Sequence, residues 1–297
     1  MVFIFPILRH EQKSKTRNNL EKPPTGGFSL ASAPILWYTI LTNPTEVPMK
    51  IVYFGYDLFA DCLESLPALG VEIMAIYTFP SDGVCDFNDR VTAFAAARGI
   101  PCTDRRVTEA DLAALAARGC DWMVSAGYAY RIPVKACGLR GVNLHPALLP
   151  VGRGAWPMPV TILRGLTQSG VTLHKLAPRF DEGDILAQAA VDVAPDEILP
   201  TLTAKLQQAA VPLLHRFIAD PATMWANGTP QPAGEYWPQP TEADMTITPS
   251  TTAAEADRIL RAFAGVGCFY GDIPVRAAHI THTPTALPLA DAWLAFD

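Results

Sequence analysis

Paired cysteines are missing from this sequence. Its six cysteines, Cys62, Cys85, Cys102, Cys120, Cys137 and Cys268, form neither a CxxC nor a Cys/His ligand pair. Neither a disulfide framework nor a zinc site is signalled, and reduced thiols of a cytoplasmic protein without a bound metal are the expectation. Charge is scarce at 18% of residues, and bases are the minority, 23 Lys and Arg against 29 Asp and Glu. A general nucleic-acid binder needs a basic footprint, which a net charge of -6 does not supply. The uncharged stretch 28–42 is short for a membrane span and holds Pro34. No cationic region precedes the apolar start MVFIFPIL, so neither anchor nor signal peptide is expected. A GxGxxG fingerprint is absent after the first strand-like run, where GYDLFA stands, and the glycines of GVGCFYG follow a helix pattern instead. What is present is apolar substance: 49% hydrophobic residues in a 297-residue chain. That excludes a disordered protein and calls for one large domain with something smaller beside it.

Residues 1–48 do not pattern as a folded unit. A short apolar start, a basic stretch and a Pro-Pro-Thr-Gly-Gly turn segment read as an N-terminal extension, disordered or non-native. From Met49 the pattern alternates. MKIVYFG, VEIMAIYTF, IPC, DWMVSAGY and GVNLH read as strands, and LFADCLESLPALG, 88–98 and DLAALAARG as the helices between them. That alternation predicts an α/β fold, a Rossmann-like mostly parallel sheet with helices on both faces. ILAQAAVDV continues it, and a helix is expected over 199–217. A Pro-rich stretch, 230–240, reads as a linker after a large domain at 49–229, and 241–297 reads as a small C-terminal α+β subdomain. Ligands of such sheets bind beyond the carboxyl ends of strands, so the loops after DWMVSA and GVNLH are where a site is expected.

One constellation lies there. Asn143 and His145 stand two apart at a predicted strand end, and period-2 geometry puts both side chains on one face. Pro146 ends the strand at once. An amide donor beside an imidazole suits acyl transfer, one group serving a developing oxyanion and the other moving protons. Alone, the pair reads more simply as structural. Asp181 follows in a Gly-containing turn, Asp181-Glu182-Gly183-Asp184, where it is either a turn-former or a carboxylate that raises the pKa of an adjacent imidazole. His174 patterns as a packed or edge histidine. Trp156, Trp225 and Trp237 read mainly as packing residues, with Trp156 close enough to the motif to touch a substrate.

Taken together, Asn143, His145, Leu148 to Pro150, Arg153-Gly154, Gly170 to Thr172 and the DEGDI turn from Asp181 resemble the formyltransferase family that uses 10-formyltetrahydrofolate. The resemblance runs from about residue 49 to about 214. It implies a Rossmann-like sheet, a catalytic Asn143/His145/Asp181 triad and N10-formyltetrahydrofolate as co-substrate. It also implies a folate pocket from two loops, Tyr130-Arg131-Ile132 and Ala177-Pro178-Arg179-Phe180, contacting the pterin largely through backbone groups. No nicotinamide and no metal are implied.

Charge distribution bears on the acceptor. Residues 191–297 hold twelve acids against five bases, which disfavours tRNA, the polyanionic acceptor of one branch of that family. The C-terminal unit also looks too short for that branch's barrel. The run from GVTLHKLAPRF to TAKL looks more like the amino-sugar branch, which points to a small-molecule amine, and first to a nucleotide-linked amino sugar. Where those branches carry RGAAP or RGRAP, this chain carries RGAWPMP, a departure that leaves another small amine, such as a hydroxyornithine or peptide precursor, open. A tRNA formyltransferase and a formyltetrahydrofolate hydrolase stay as alternatives. No membrane partner is expected, and a homodimer is one assembly that small C-terminal units in the family support.

Overall fold

The computed structural model describes residues 2–4, 48–83, 86–135, 138–275, 278–280 and 294–295. The chain divides into two units, one of Met1–Pro6 with Pro48–Asp297 and one of Ile7–Val47. The second unit, and with it the N-terminal extension expected over 1–48 beyond its first strand, lies outside the described residues. That strand, β1 (Val2–Ile4), pairs by backbone with two short segments near the other end of the chain, 278–280 and 294–295.

The alternating part of the sequence folds as its pattern dictates. Seven strands form one sheet: β2 (Lys50–Gly55), β3 (Glu72–Tyr77), β4 (Cys102–Thr103), β5 (Trp122–Ala126), β6 (Arg140–His145), β7 (Gln168–Lys175) and β8 (Ile185–Asp192), in the order β4-β3-β2-β5-β6-β7-β8. The first five pair in parallel, and β7 alone runs against its neighbours on both sides. This is the Rossmann-like, mostly parallel sheet that the pattern called for. Central strands are buried on both faces, so they read as continuous apolar runs rather than alternating ones. Successive residues still separate by face. Ile51 and Tyr53 of β2 join one core with Trp122 and Val124 of β5, while Val52, Phe54 and Met123 join the other.

Helices cover both faces. The first core receives α1 (Ala60–Ser65), α2 (Asp89–Arg98) and α5 (Leu199–Ala219), and the second receives Leu112 and Leu115 of α3 (Glu109–Ala117). In α5 the buried residues Leu199, Leu202, Leu206, Ala210, Leu213 and Phe217 recur at three- and four-residue spacing, one stripe of a helix laid on the sheet. Gly70 and Gly99 close the helices before β3 and β4 in the left-handed conformation that terminates helices without a Cβ penalty.

The run expected as one helix over 58–70 is broken into a 3-10 turn, Asp57–Phe59, the short α1 and a second 3-10 turn, Leu66–Leu69. Pro67 enters the second turn at its first positions, where its missing N–H is tolerated. Two short helices that the pattern did not announce are also present, α4 (Pro157–Leu163) and α6 (Pro221–Ala226). A small unit follows, with β9 (Thr246–Ile247), α7 (Ala253–Ala262), β10 (Cys268–Tyr270) and β11 (Ile273–Val275). Thr252 and Glu255 cap α7 reciprocally, and Ile247, Ala256, Cys268 and Val275 make its own core. Among the described residues no helix is long and apolar enough to cross a membrane.

The chain lays down β2, β3 and β4 to one side and then returns to place β5 on the other side of β2. That reversal opens a crevice beyond the carboxyl ends of β2 and β5. The next strand, β6, ends beside it at His145.

Candidate active site

A cavity of about 380 Å³ occupies that crevice. Its lining includes Tyr56 after β2, Ser125 and Gly127 to Ile132 at and after β5, Asn143 to Pro146 from β6, and Leu176, Ala177 and Arg179 to Asp181 after β7. The volume falls in the range of small-ligand sites. Trp156 lines it too, packing edge-on against Phe263 of the small C-terminal unit. Among the described residues no group of three or more His, Cys, Asp or Glu is arranged to hold a metal ion.

The structure brings the three triad candidates together, and adds a fourth residue that the sequence reading had set aside. Asn143 and His145, two apart on β6, share its face, and β7 pairs against them so that Asn143 faces His174 across the sheet. His145 and Asp181 are buried, 4% and 8% exposed. His145 Nδ1 stands 3.4 Å from Asp181 Oδ1, and His174 Nε2 stands 3.6 Å from the same oxygen. The carboxylate therefore lies between two imidazoles. Its other oxygen accepts a hydrogen bond from the Gly154 N–H at 3.0 Å.

Partners fix the roles of the ring nitrogens. His174 Nδ1 donates to the Lys175 carbonyl at 2.9 Å, which leaves Nε2 to accept from Asn143 Nδ2 at 3.0 Å. One N–H of the Asn143 amide is thereby committed, and the amide plane is set with the second N–H free to serve another acceptor. His145 Nε2 donates to the Gly152 carbonyl at 2.7 Å, which turns Nδ1 toward Asp181. His174 had no signal beyond its place in an alternating strand. Its partnership arises from cross-strand register, which periodicity within one strand does not reveal.

Electrostatics sort the acids from the bases. Burial is the largest influence on Asp181 and works to raise its pKa, but His145, His174 and the Gly154 N–H together hold the carboxyl down at about 2. It is ionised at neutral pH. Burial also dominates at His145 and pushes the imidazole below its usual value, against the opposing pull of Asp181 and the Gly152 carbonyl. The expected upward pull of Asp181 on the His145 pKa is present, but it does not set the net direction. The carboxylate pulls in that direction, and desolvation wins.

The turn that carries Asp181 is tightly constrained. Asp181 itself has φ 56, the left-handed region that Asp visits more readily than most residues. A Cβ on Gly183 would run into the Lys175 carbonyl, and one on Gly154 into the Trp237 carbonyl. The glycines of the Arg153-Gly154 and Asp181 to Asp184 segments are thus explained by close backbone approach.

The candidate folate-loop residues flank the same cavity. Tyr130, Arg131 and Ile132 line one side, and Ala177, Arg179 and Phe180 line the other. Pro178 sits between them in the chain without lining the cavity. Arg131 lies over the exposed Phe180 ring, 5.6 Å from guanidinium to centroid, and Arg179 pairs with Glu182 at 2.6 Å. Aromatic rings continue the wall, with Phe79 edge-on to Tyr130 and tilted against Tyr56. Arg131 and Arg179 stand exposed beside these rings.

The α/β sheet thus places a part-buried Asn143 beside the buried His145, His174 and Asp181 at the edge of its crevice. Residues 77–218 match the family model described as formyl transferase. Solved structures share the fold. A sugar N-formyltransferase from a Shewanella species superimposes with a TM-score of 0.58 at 19% identity, covering 80% of this chain and 98% of that one. The N-formyltransferase from Helicobacter canadensis, solved with folinic acid and dTDP-3-aminofucose, gives 0.56 at 16%, covering 73% and 81%. HypX from Aquifex aeolicus gives 0.56 at 15%, covering 73% of this chain, which spans about a third (34%) of HypX's length.

Proposed function

We propose that this chain transfers a formyl group from N10-formyltetrahydrofolate to the amine of a small molecule, with Asn143, His145 and Asp181 as its catalytic residues. The observation that carries the reading is the cluster of part-buried Asn143 with buried His145, His174 and Asp181, opening into the switch-point cavity. The donor supplies a formyl carbon bonded to a nitrogen leaving group, and the slot between 130–132 and 177–180 suits its heteroaromatic body.

The chain's own residues then do the following. The uncommitted N–H of Asn143 donates to the formyl oxygen as negative charge develops there, and such a donor contributes ~100–1,000-fold in rate. His145, held neutral by burial, accepts a proton from the attacking amine at Nδ1. The imidazolium so formed lies between the Asp181 carboxylate and the Gly152 carbonyl, which stabilise it. The same group returns the proton to the departing nitrogen. His174 holds the Asn143 amide in place throughout. Low solvent access keeps both the carboxylate and the imidazole from being satisfied by water instead.

The acceptor we propose is a nucleotide-linked amino sugar. Two structural neighbours support it, since one is a sugar N-formyltransferase and another was solved with dTDP-3-aminofucose. The excess of acids in the C-terminal third argues in the same direction by disfavouring tRNA. The test is incubation of the purified chain and formyl donor with a panel of amino sugars, their nucleotide-linked forms, amino acids and tRNA, with formylated product read by mass spectrometry. Formylation of an amino sugar supports the reading. Donor consumption with no product formylated would assign a hydrolase, and formylation confined to tRNA would overturn the acceptor.

A further inference from the structure

The segment 230–240 is held against the site by a dense set of bonds. Arg153 N donates to the Glu235 carbonyl at 3.1 Å and Trp237 N donates to the Arg153 carbonyl at 2.7 Å, a short parallel bridge between Arg153 and Tyr236. Glu235 N donates to the Pro150 carbonyl at 3.1 Å, and the Glu235 carboxylate takes Arg164 at 2.6 Å. Trp237 is buried. Tyr236 and Gln239 reach the rim of the cavity.

Gln231 makes the contact that matters most for the chemistry. Its Nε2 donates to the Asp181 carbonyl at 2.9 Å and to the Gly183 carbonyl at 2.6 Å. Its Oε1 accepts from Arg153 Nε at 3.1 Å and Nη2 at 2.8 Å. One half-buried amide therefore ties the backbone of the Asp181 turn to the loop that carries Gly154. Gly154 N in turn holds the Asp181 carboxylate. Only a side chain with both a donor nitrogen and an acceptor oxygen can make this set; Glu lacks the donors and Met lacks both. The turn needs such a brace because Asp181 sits in the left-handed region, a strained conformation for a residue with a Cβ.

We propose that Gln231 is a positioning residue for the Asp181 carboxylate, bracing its turn from the segment that the sequence reads as a linker. For its kinetic readout this rests on the formyl-transfer reading. For its titration readout it does not. The charged and titratable groups facing His145 are Asp181 and His174, so the His145 titration reports where the carboxylate stands.

The experiment compares wild type, Gln231→Met and Arg153→Ala by NMR titration of His145, by kcat and KM, and by thermal melting. Gln231→Met keeps side-chain length and removes every bond; Arg153→Ala removes the partner of Oε1 and a bond to the Pro232 carbonyl, and leaves both Gln231 donors. In Gln231→Met, the His145 titration moves to lower pH as the carboxylate drifts away. Its kcat falls roughly 10–100-fold with both KM values within about threefold, the signature of lost alignment rather than lost binding. Arg153→Ala has the smaller effect on both readouts. An unshifted His145 titration and unchanged kcat in folded Gln231→Met overturn the proposal. So does a kcat loss that tracks only the unfolded fraction in both variants. A shifted titration in a chain that formylates nothing would uphold the brace and sink the formyl-transfer reading.

Discussion

At the scale of the residue, the site depends on which imidazole carries a proton and when. Burial lowers the His145 pKa below its ordinary value of about 6.5, so the base form is present at neutral pH and is lost as pH falls through the lowered value. The acid limb of kcat/KM is expected below about pH 6.5. Asp181→Asn keeps a residue tolerant of the left-handed turn but removes the charge that pulls His145 upward. Its limb moves to lower pH with a much reduced plateau, and an upward move would contradict the assignment. Asp181 has its own signature in stability. Its carboxyl is held at about 2, so its contribution is full above the unfolded value of roughly 3.9 and disappears as pH falls toward 2. Acid denaturation of Asp181→Asn lacks that component. That Asn143, His145 and Asp181 would meet was legible only through the family resemblance, because the strand end and the glycine turn taken alone read as structural. His174 and Gln231 were not, because their roles come from a cross-strand register and from a chain return that no local pattern encodes.

At the scale of the element, the crevice is built by how loops are pinned to strands. Asp57 accepts from the backbone N–H groups of Arg90 and Val91, both at 3.0 Å, and so occupies the first turn of α2. It does the work of a capping side chain from a different loop. Asp57→Ala is expected to lower stability by about 1–2 kcal/mol in chemical denaturation, with formyl transfer by the folded enzyme unchanged. A loss of activity without loss of stability would show that the loop serves the acceptor instead. Gly154→Ala is the opposite case. Its Cβ meets the Trp237 carbonyl, and its N–H holds Asp181, so both stability and kcat fall, the former by more than about 2 kcal/mol. The sheet strands were readable from their continuous apolar runs. The break between Asp57 and Leu69 was not, because the apolar spacing of 58–70 suits an uninterrupted helix and only the fold shows two 3-10 turns there.

At the scale of the whole molecule, the distribution of charge is a statement about partners. Twelve acids against five bases over 191–297 argue against a polyanionic acceptor, in line with the small amine proposed above. Transfer to a small amine should therefore change by less than about twofold between 50 and 200 mM salt, whereas an acceptor held through many phosphate contacts would lose several powers of ten in affinity over the same range. The α/β class was legible because strand and helix periods alternate along the chain. The packing of the small unit against the cavity wall was not, since Trp156 meets Phe263 across a hundred residues of sequence.

The most direct test is to supply N10-formyltetrahydrofolate with an isotopically labelled formyl carbon and follow the label in a single turnover with an amino-sugar acceptor, in wild type and in His145→Ala. The account predicts that the label appears on the acceptor nitrogen in wild type and that its transfer is slowed at least about 100-fold in the variant. Label that leaves as free formate, or transfer that proceeds at the wild-type rate without His145, would contradict it.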